Sequence, residues 1–500
     1  MNWFVICIAT IYGISALVRL VRWVAILQQK EYRFDRVRVF LLSSEGNAEF
    51  LRLLPSTSDF SRTGFKRPKL TQRAIVSALL SFGELLTLIF TPIIWYLRLE
   101  YVDSVGAILL LSIWLLFILV SIPLLVLLTA VPTSLVAQYQ TMVMCRSAAK
   151  LLDFHTPLVI GITGSYGKSS TKQLLAHVLS KKYRVFATPR SFNTRYSVAQ
   201  SIVIGYRGEE IVILEYGAYG PGEIRKLVSD LPANWAVITG FAPQHLGLFG
   251  SEDAILRAKA ELLEALPPDG KAFVNGDDSG VQRIVSVATI EPSVPVLEFS
   301  VYSVPALKKT KLSSNGSLEI PYTGKLITTN LVGKHYVQTI AGVWAIAAEL
   351  GMSEKSILSQ LKSFVPTDTF MQRYVTRNAV TILDDGGTSN PRGFAAALEV
   401  LEQLEFAQKI LITPGIVDLG NQSNSIHLEL AKQAWSVGVS EVLYVGENGK
   451  GEFSTVFSPN RVLSERSAVQ TALTTMPSGS VLLIEGRLPG WCEDILKQLL

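Results

Sequence analysis

The sequence predicts an α/β protein preceded by transmembrane helices, and three observations carry that reading. Of its 500 residues, 49% are hydrophobic and 17% charged, an apolar bias that membrane segments usually cause. Three apolar stretches are each long enough to cross a bilayer, which takes roughly 20 helical residues. From residue 151 the pattern changes to short apolar runs alternating with amphipathic stretches, which is how a parallel sheet with covering helices reads.

The apolar stretches lie at about residues 3–27, 75–97 and 105–131. The first carries Arg19 and Arg22 near its far end, where long side chains can snorkel to the headgroups. It has neither a charged n-region nor a clear small-residue cleavage site, so it reads as an uncleaved anchor. The loop between the first two stretches holds Lys30, Arg33, Arg36, Arg38, Lys66, Arg67, Lys69 and Arg73, whereas the next loop has only Arg98, Glu100 and Asp103. The positive-inside rule makes the basic loop cytoplasmic. With three spans, the N-terminus is then outside and everything after about residue 132 is inside, as in a multi-pass protein of the cell (inner or plasma) membrane. Glu84, within the second stretch, is either a functional carboxylate or a protonated packing residue.

Several classes are disfavoured. The net charge of +5 is modest and its basic residues cluster near the apolar stretches, which argues against nucleic acid as a partner. Cys7, Cys145 and Cys492 lie far apart without C-x-x-C spacing, so neither a disulfide framework nor a thiolate metal site is expected.

The chemistry begins at residue 157. Pro157–Thr163 reads as a buried strand, Gly164-Ser-Tyr-Gly-Lys-Ser-Ser170 as a glycine loop, and Thr171–Leu179 as a helix. Glycines let backbone fold around phosphate oxygens, and the helix N-terminus supplies positive potential. Lys168 would reach the β and γ phosphates, and Ser169 would take Mg²⁺. Gly164, Ser165, Gly167, Lys168, Ser169 and Ser170 are therefore the candidate ATP-binding residues. Strict Walker spacing wants glycine at 162, where this chain has Ile162. The loop is a shortened G-x-x-G-K-S, and the alternative is an ordinary glycine turn before a helix.

Three further residues carry candidate chemistry. Glu215 ends an apolar strand and His245 follows another, so a parallel sheet would set both at the edge beside the phosphate loop. There they could complete magnesium sites, or be capping or solvated residues. Lys259 lies on a helical stretch with Glu252, Asp253 and Glu261 nearby, and its ordinary role would be a surface ion pair.

The run Gly161-Ile-Thr-Gly-Ser-Tyr-Gly-Lys-Ser-Ser-Thr-Lys172 closely resembles the ATP loop of Mur ligases, particularly the D-alanyl-D-alanine-adding type. Ile213-Leu-Glu-Tyr-Gly217, Gly222-Glu-Ile224, Thr239–Ser251 and Ala258-Lys-Ala-Glu261 continue the likeness. So do Asn275-Gly-Asp-Asp278, Gly333-Lys-His335, Arg373, Asp384-Asp385, Asn390-Pro391, Asp418-Leu-Gly420 and His427. The apolar stretches mark a membrane region at 1–150, and the resemblance implies a central P-loop parallel-sheet ATPase domain at 151–372 and a C-terminal Rossmann-like α/β domain at 373–500.

It also implies an ATP-dependent acid–amino-acid ligase of peptidoglycan precursor synthesis. A carboxylate would be activated as an acyl phosphate and joined to an amino acid or dipeptide. Catalysis would rest on Lys168, Lys259, His245 and Arg373, the metal on Ser169, Glu215, His245 and Lys259, and the nucleotide additionally on Asp385. The family lysine matching Lys259 is carbamylated, which turns a cation into an oxygen donor for Mg²⁺. By composition alone Asp385 is equally a strand-end turn residue.

The departures are specific. Tyr336 and Thr339 stand where the family usually has asparagines near the adenine, and Glu485-Gly-Arg487 replaces a Lys-Gly-Ser-Arg run. Asn390-Pro-Arg392 falls at the family's Asn-Pro and is not read as amino-acid specificity. Membrane segments replace the soluble sugar-nucleotide domain, and only about 25 residues link the third span to the loop, at most about 3.5 Å each. A lipid-linked acceptor and membrane lipid are therefore expected partners. A poly-γ-glutamyl-type ligase and a catalytically inactive nucleotide-binding scaffold are the alternatives.

Overall fold

The computed structural model describes residues 3–56, 59, 67–96, 104–243, 246–367, 370–387, 389–417, 419 and 422–499. The chain divides into two compact units, Met1–Val143 and Met144–Leu500.

The first unit contains helices Trp3–Gln29 and Gln72–Tyr96 and most of helix Ser104–His155. All three are long and apolar enough to cross a membrane. The last runs well past its apolar stretch, through Pro123 and Pro132. Each proline removes one backbone hydrogen bond, yet the helix continues through both. Its end, from residue 144, belongs to the second unit, where Cys145, Ala148 and Leu152 join a buried cluster with Val198, Ile202 and Val212.

The described part of the basic loop is folded, and this corrects the expectation for Arg19 and Arg22. Two short helices, Phe34–Leu42 and Ser44–Leu51, follow the first long helix. Both arginines are buried. Arg22 pairs with Glu49 and, at 3.0 Å, with Asp59, while Arg19 donates to the carbonyls of Phe50 and Arg52. A guanidinium with carboxylates and carbonyls folded over it has no need to reach headgroups. Lys66, Arg98, Glu100 and Asp103, used above to orient the spans, lie outside the described residues.

The second unit bears out the α/β expectation. Its first sheet comprises β1 (Leu158–Thr163), β2 (Val185–Ala187), β3 (Ile211–Glu215), β4 (Trp235–Ile238), β5 (Lys271–Asn275) and β6 (Val296–Phe299). All pairs are parallel, in the order β2-β3-β1-β4-β5-β6. β1 lies between β3 and β4, so the chain's crossovers diverge on either side of its carboxyl end, which is where open α/β sheets bind ligands. Buried aliphatics of β1, β3 and β4 fill both faces, as a helix-covered parallel sheet requires.

A small antiparallel sheet of β7 (Lys311–Leu312), β8 (Ser317–Tyr322) and β9 (Lys325–Val332) follows. Thr323 and Gly324 turn β8 into β9 with φ of 47° and 77°, the two positive angles that a tight hairpin needs. The last sheet consists of β10 (Gln372–Val375), β11 (Thr381–Asp385), β12 (Gln408–Thr413), β13 (Val439–Tyr444), β14 (Val462–Leu463) and β15 (Ser480–Glu485). Its order is β10-β11-β15-β12-β13-β14, with only β10 antiparallel. β11 and β15 end side by side, with Asp385 opposite Glu485.

Candidate active site

The loop after β1 has the geometry of an anion cradle. Gly164 has φ of 152°, and a side chain there would run into Thr239 Oγ1. Gly167 has φ of 75° and caps helix Lys168–Leu179. The first-turn N–H groups of that helix have no intrahelical acceptor and point out of its end, so an anion suits them. Thr239 Oγ1 donates to Tyr166 O at 2.5 Å. Ser165 is used structurally: its N–H donates to Gly240 O at 2.7 Å and its hydroxyl to Ala242 O at 2.7 Å.

The charged groups converge on Glu215, which is 1% exposed at the end of β3. Ser169 Oγ donates to Glu215 Oε2 at 2.8 Å, so two of the expected metal ligands are adjacent. Lys172 Nζ donates to the same oxygen at 3.0 Å and also to Arg190 O. Asn193 Nδ2 donates to Oε1 at 3.2 Å. Lys168 is folded back on its own loop, with Nζ donating to Gly164 O at 2.7 Å, and burial lowers its pKa against the pull of Glu215.

Lys259 is not a surface lysine. It is 5% exposed on helix Glu252–Glu264. Glu252 and Asp253 pair with Arg283 instead, and Glu261 accepts from the N–H groups of Gly222 and Arg225 at 2.8 and 2.9 Å. Burial, then the nearby Lys168 charge, lowers the Lys259 amine to about 7, with Glu215, Glu223 and Glu261 opposing. A large fraction is therefore neutral at physiological pH. His245 lies outside the described residues, as do Asp418 and Gly420. Among the described residues no cluster of three or more His, Cys, Asp or Glu forms a metal cage. The local donors, one hydroxyl and one carboxylate, suit a magnesium ion that keeps phosphate and water ligands.

A cleft of about 970 Å³ runs from this loop to the last sheet, lined by Gly167, Ser170, Tyr336, Thr339, Asp385 and Arg392 among others. Asp385 thus lines the same cleft as the loop residue Gly167. Tyr336, one of the residues replacing an asparagine, is buried, with its hydroxyl accepting from Met371 N at 2.7 Å. Arg373 sits exposed on the edge strand β10 and does not line the cleft. Asn390 and Pro391 form a helix start: Asn390 Oδ1 accepts from Gly393 N at 2.9 Å, with proline in the first turn.

Residues 162–347 match the Mur ligase middle domain. This central segment is therefore similar to the Mur ligases. It is 29% identical over 297 residues to the UDP-N-acetylmuramoyl-tripeptide–D-alanyl-D-alanine ligase of Mycobacterium tuberculosis, covering 58% of each chain. It is 25% identical over 351 residues to the ligase of the same name from Bacillus subtilis, covering 68% of this chain and 76% of that one. The chain thus spans 58% of the length of its mycobacterial relative. MurF from Acinetobacter baumannii shares the fold with a TM-score of 0.62 at 21% identity, covering 72% of this chain and 80% of that one. MurF from Thermotoga maritima in complex with ADP does so at 0.59 and 23%, covering 72% and 83%.

Four residues of the site were not foreseen. Lys172 was legible, since it stands one helical turn after Lys168 on the same face. Asn193 follows a loop with no motif. Tyr166 and Arg392 come from distant segments: Tyr166 OH donates to Asp278 Oδ2, Arg392 pairs with the same oxygen at 3.6 Å, and its guanidinium lies 5.4 Å from the Tyr166 ring centre. No sequence signal joins Arg392 to the loop.

Proposed function

We propose that this protein is a membrane-anchored, ATP-dependent acid–amino-acid ligase of the Mur ligase kind that joins a peptide carboxylate, activated as an acyl phosphate, to an amino acid or dipeptide. The reading is of the D-alanyl-D-alanine-adding type in peptidoglycan precursor synthesis, following the names of its relatives. The observation that carries it is Lys259, buried without an ion pair among the described residues and surrounded by Lys168 and Glu215. A chain that only held a nucleotide would gain nothing from burying that amine beside a second lysine.

The residues divide the work by position. Gly164 and Gly167 bring backbone close to a phosphate chain, and Lys168 exchanges its loop carbonyls for phosphate oxygens. Ser169 and Glu215 would hold Mg²⁺. Lys259, partly neutral, is chemically able to take up CO₂ as a carbamate and become an anionic oxygen donor to the same site. ATP and Mg²⁺ supply the transferable phosphoryl group and the cationic charge that offsets it. Arg373 would add charge only if the last sheet moved over the loop, a hinge-type closure. Helices Trp3–Gln29, Gln72–Tyr96 and Ser104–His155 would anchor the enzyme, with the catalytic unit cytoplasmic. The acceptor would then be presented at the membrane, as a lipid-linked precursor.

The deciding experiment uses the full chain in detergent with ATP, Mg²⁺, pools of amino acids and dipeptides, and matched acceptors carried on UDP or on polyprenyl pyrophosphate. ADP release that requires both an acceptor and an amine supports the ligase. Release independent of both, or none with any pool, rejects it, and preference for the UDP-linked acceptor rejects the lipid-linked substrate alone.

A further inference from the structure

The last sheet ends in two acids that have no cation between them among the described residues. Asp385 on β11 stands opposite Glu485 on β15, and neighbouring strands are only about 4.8 Å apart. Glu485 is 1% exposed. Its Oε1 accepts from Ser389 Oγ at 2.7 Å, while its Oε2 is buried without any donor among the described residues. The described groups that act on the pair are Tyr336 from helix Tyr336–Glu349, Asp384 from the same strand and Ser389 from the following loop, while Lys334 and Arg392 line the same cleft as Asp385 without pairing with either acid. Asp384 in turn feels Glu493 from helix Gly490–Leu499. No lysine or arginine is paired with either acid among the described residues.

Two bare carboxylates cannot be neighbours in such a place at neutral pH, and a buried oxygen without a donor is costly. One proton resolves both defects. We propose that Glu485 is a positioning residue that keeps this proton and donates it as a hydrogen bond to Asp385, fixing the Asp385 carboxylate as an acceptor toward the nucleotide in the cleft. This rests on the nucleotide reading of the cleft above. The order of ionisation agrees with the geometry. Burial, then Asp385, pushes Glu485 well above the usual carboxylate range. Burial and Asp384 raise Asp385 to about 6, and the hydrogen bond from Glu485 pulls it down. Asp385 therefore ionises first, and the pair behaves as one site with two successive protons. Two acids at neighbouring strand ends thereby become a donor and an acceptor.

The test has two independent arms on the full chain in detergent. Infrared difference spectra of the ligand-free protein at neutral pH should show a protonated carboxyl band that Glu485→Gln removes, and Asp385→Asn should shift the loss of that band to lower pH. Separately, binding of ATP with Mg²⁺ should be measured by calorimetry from about pH 7 to about pH 10. Wild type should lose about tenfold or more in affinity as Glu485 ionises. Glu485→Gln, whose amide donates at every pH while its oxygen still accepts from Ser389, should lack that decline. Titration of Lys168 and Lys259 is common to both proteins and cancels in the comparison. Absence of the band, or equal pH slopes for wild type and Glu485→Gln, overturns the proposal. Failure of every variant to bind ATP overturns the nucleotide reading instead, and the infrared arm still decides the proton.

Discussion

Glu215 and the Asp385–Glu485 pair occupy equivalent places, the carboxyl ends of central strands in two parallel sheets, yet their charge is balanced in opposite ways. Glu215 meets an ammonium at 3.0 Å, a hydroxyl at 2.8 Å and an amide at 3.2 Å. Around Asp385 and Glu485 the described partners are one serine hydroxyl and each other. The first end is furnished with cations because the helix after β1 places Lys168 and Lys172 one turn apart beside β3. Helices Pro391–Glu402 and Gly490–Leu499 follow β11 and β15, but their first turns pair no lysine or arginine with either acid among the described residues. Strand-end acids are thus a topological default, and the adjoining loop decides whether a cation or a proton balances them.

The comparison can be broken most severely at Lys172. Lys172→Met would leave Glu215 buried without its ion partner, at a cost of about 3–5 kcal/mol, measured by denaturant unfolding of the full chain. Adding Glu215→Gln should recover part of that loss. A single variant as stable as wild type would mean that Ser169 and Asn193 suffice.

Lys168→Ala comes next. Removing a charge aimed at transferring phosphate should slow substrate-dependent ADP release at least about 10²-fold, with little change in the melting midpoint. Unchanged turnover would put the phosphate somewhere other than this loop.

Lys259→Ala should lower the same rate about tenfold or more, with partial recovery in formate, whose oxygens can occupy the place of the carbamate. In wild type, labelled CO₂ should give a carbamate carbon signal that grows as pH rises through about 7, where the amine becomes neutral. The sign for stability is the same. The folded pKa lies below that of a free lysine, so the unfolded chain binds more protons above about 7, and stability rises with pH through that window. A fully active alanine variant without label would reduce Lys259 to a packing residue.

The smallest effect belongs to Arg392. Its side chain is 49% exposed, so Arg392→Ala should cost under about 1 kcal/mol through the Asp278 pair and the Tyr166 ring together. A few-fold weaker ATP binding with unchanged unfolding would mark it as a contact between the last sheet and the loop; no change in either would leave it a surface charge.

Local pattern made much of this legible. The order of strand, glycine loop and helix at 157–179, the acid ending Ile211–Glu215 and the three apolar stretches all follow from residues near one another in sequence. The hairpin at Thr323-Gly324 carries an equally local turn signal, although it formed no part of the sequence reading. Arg19 and Arg22 went astray for the opposite reason: the carboxylates that bury Arg22 come from residues 49 and 59, far along the chain.

By itself, then, the sequence determined whatever depends on periodicity and neighbouring residues: the α/β alternation, the phosphate loop, and which strands end in carboxylates. Tertiary structure alone decided which of those ends touch. Glu215 lies beside Lys172 because β3 pairs with β1, and Asp385 lies beside Glu485 because β11 pairs with β15 across an intervening stretch that includes three other strands. Strand order in a parallel sheet is set by how covering helices bury their apolar faces, a sum over the whole core. A carboxylate's neighbour, and hence its charge, is therefore a property of the fold and not of the segment that carries it.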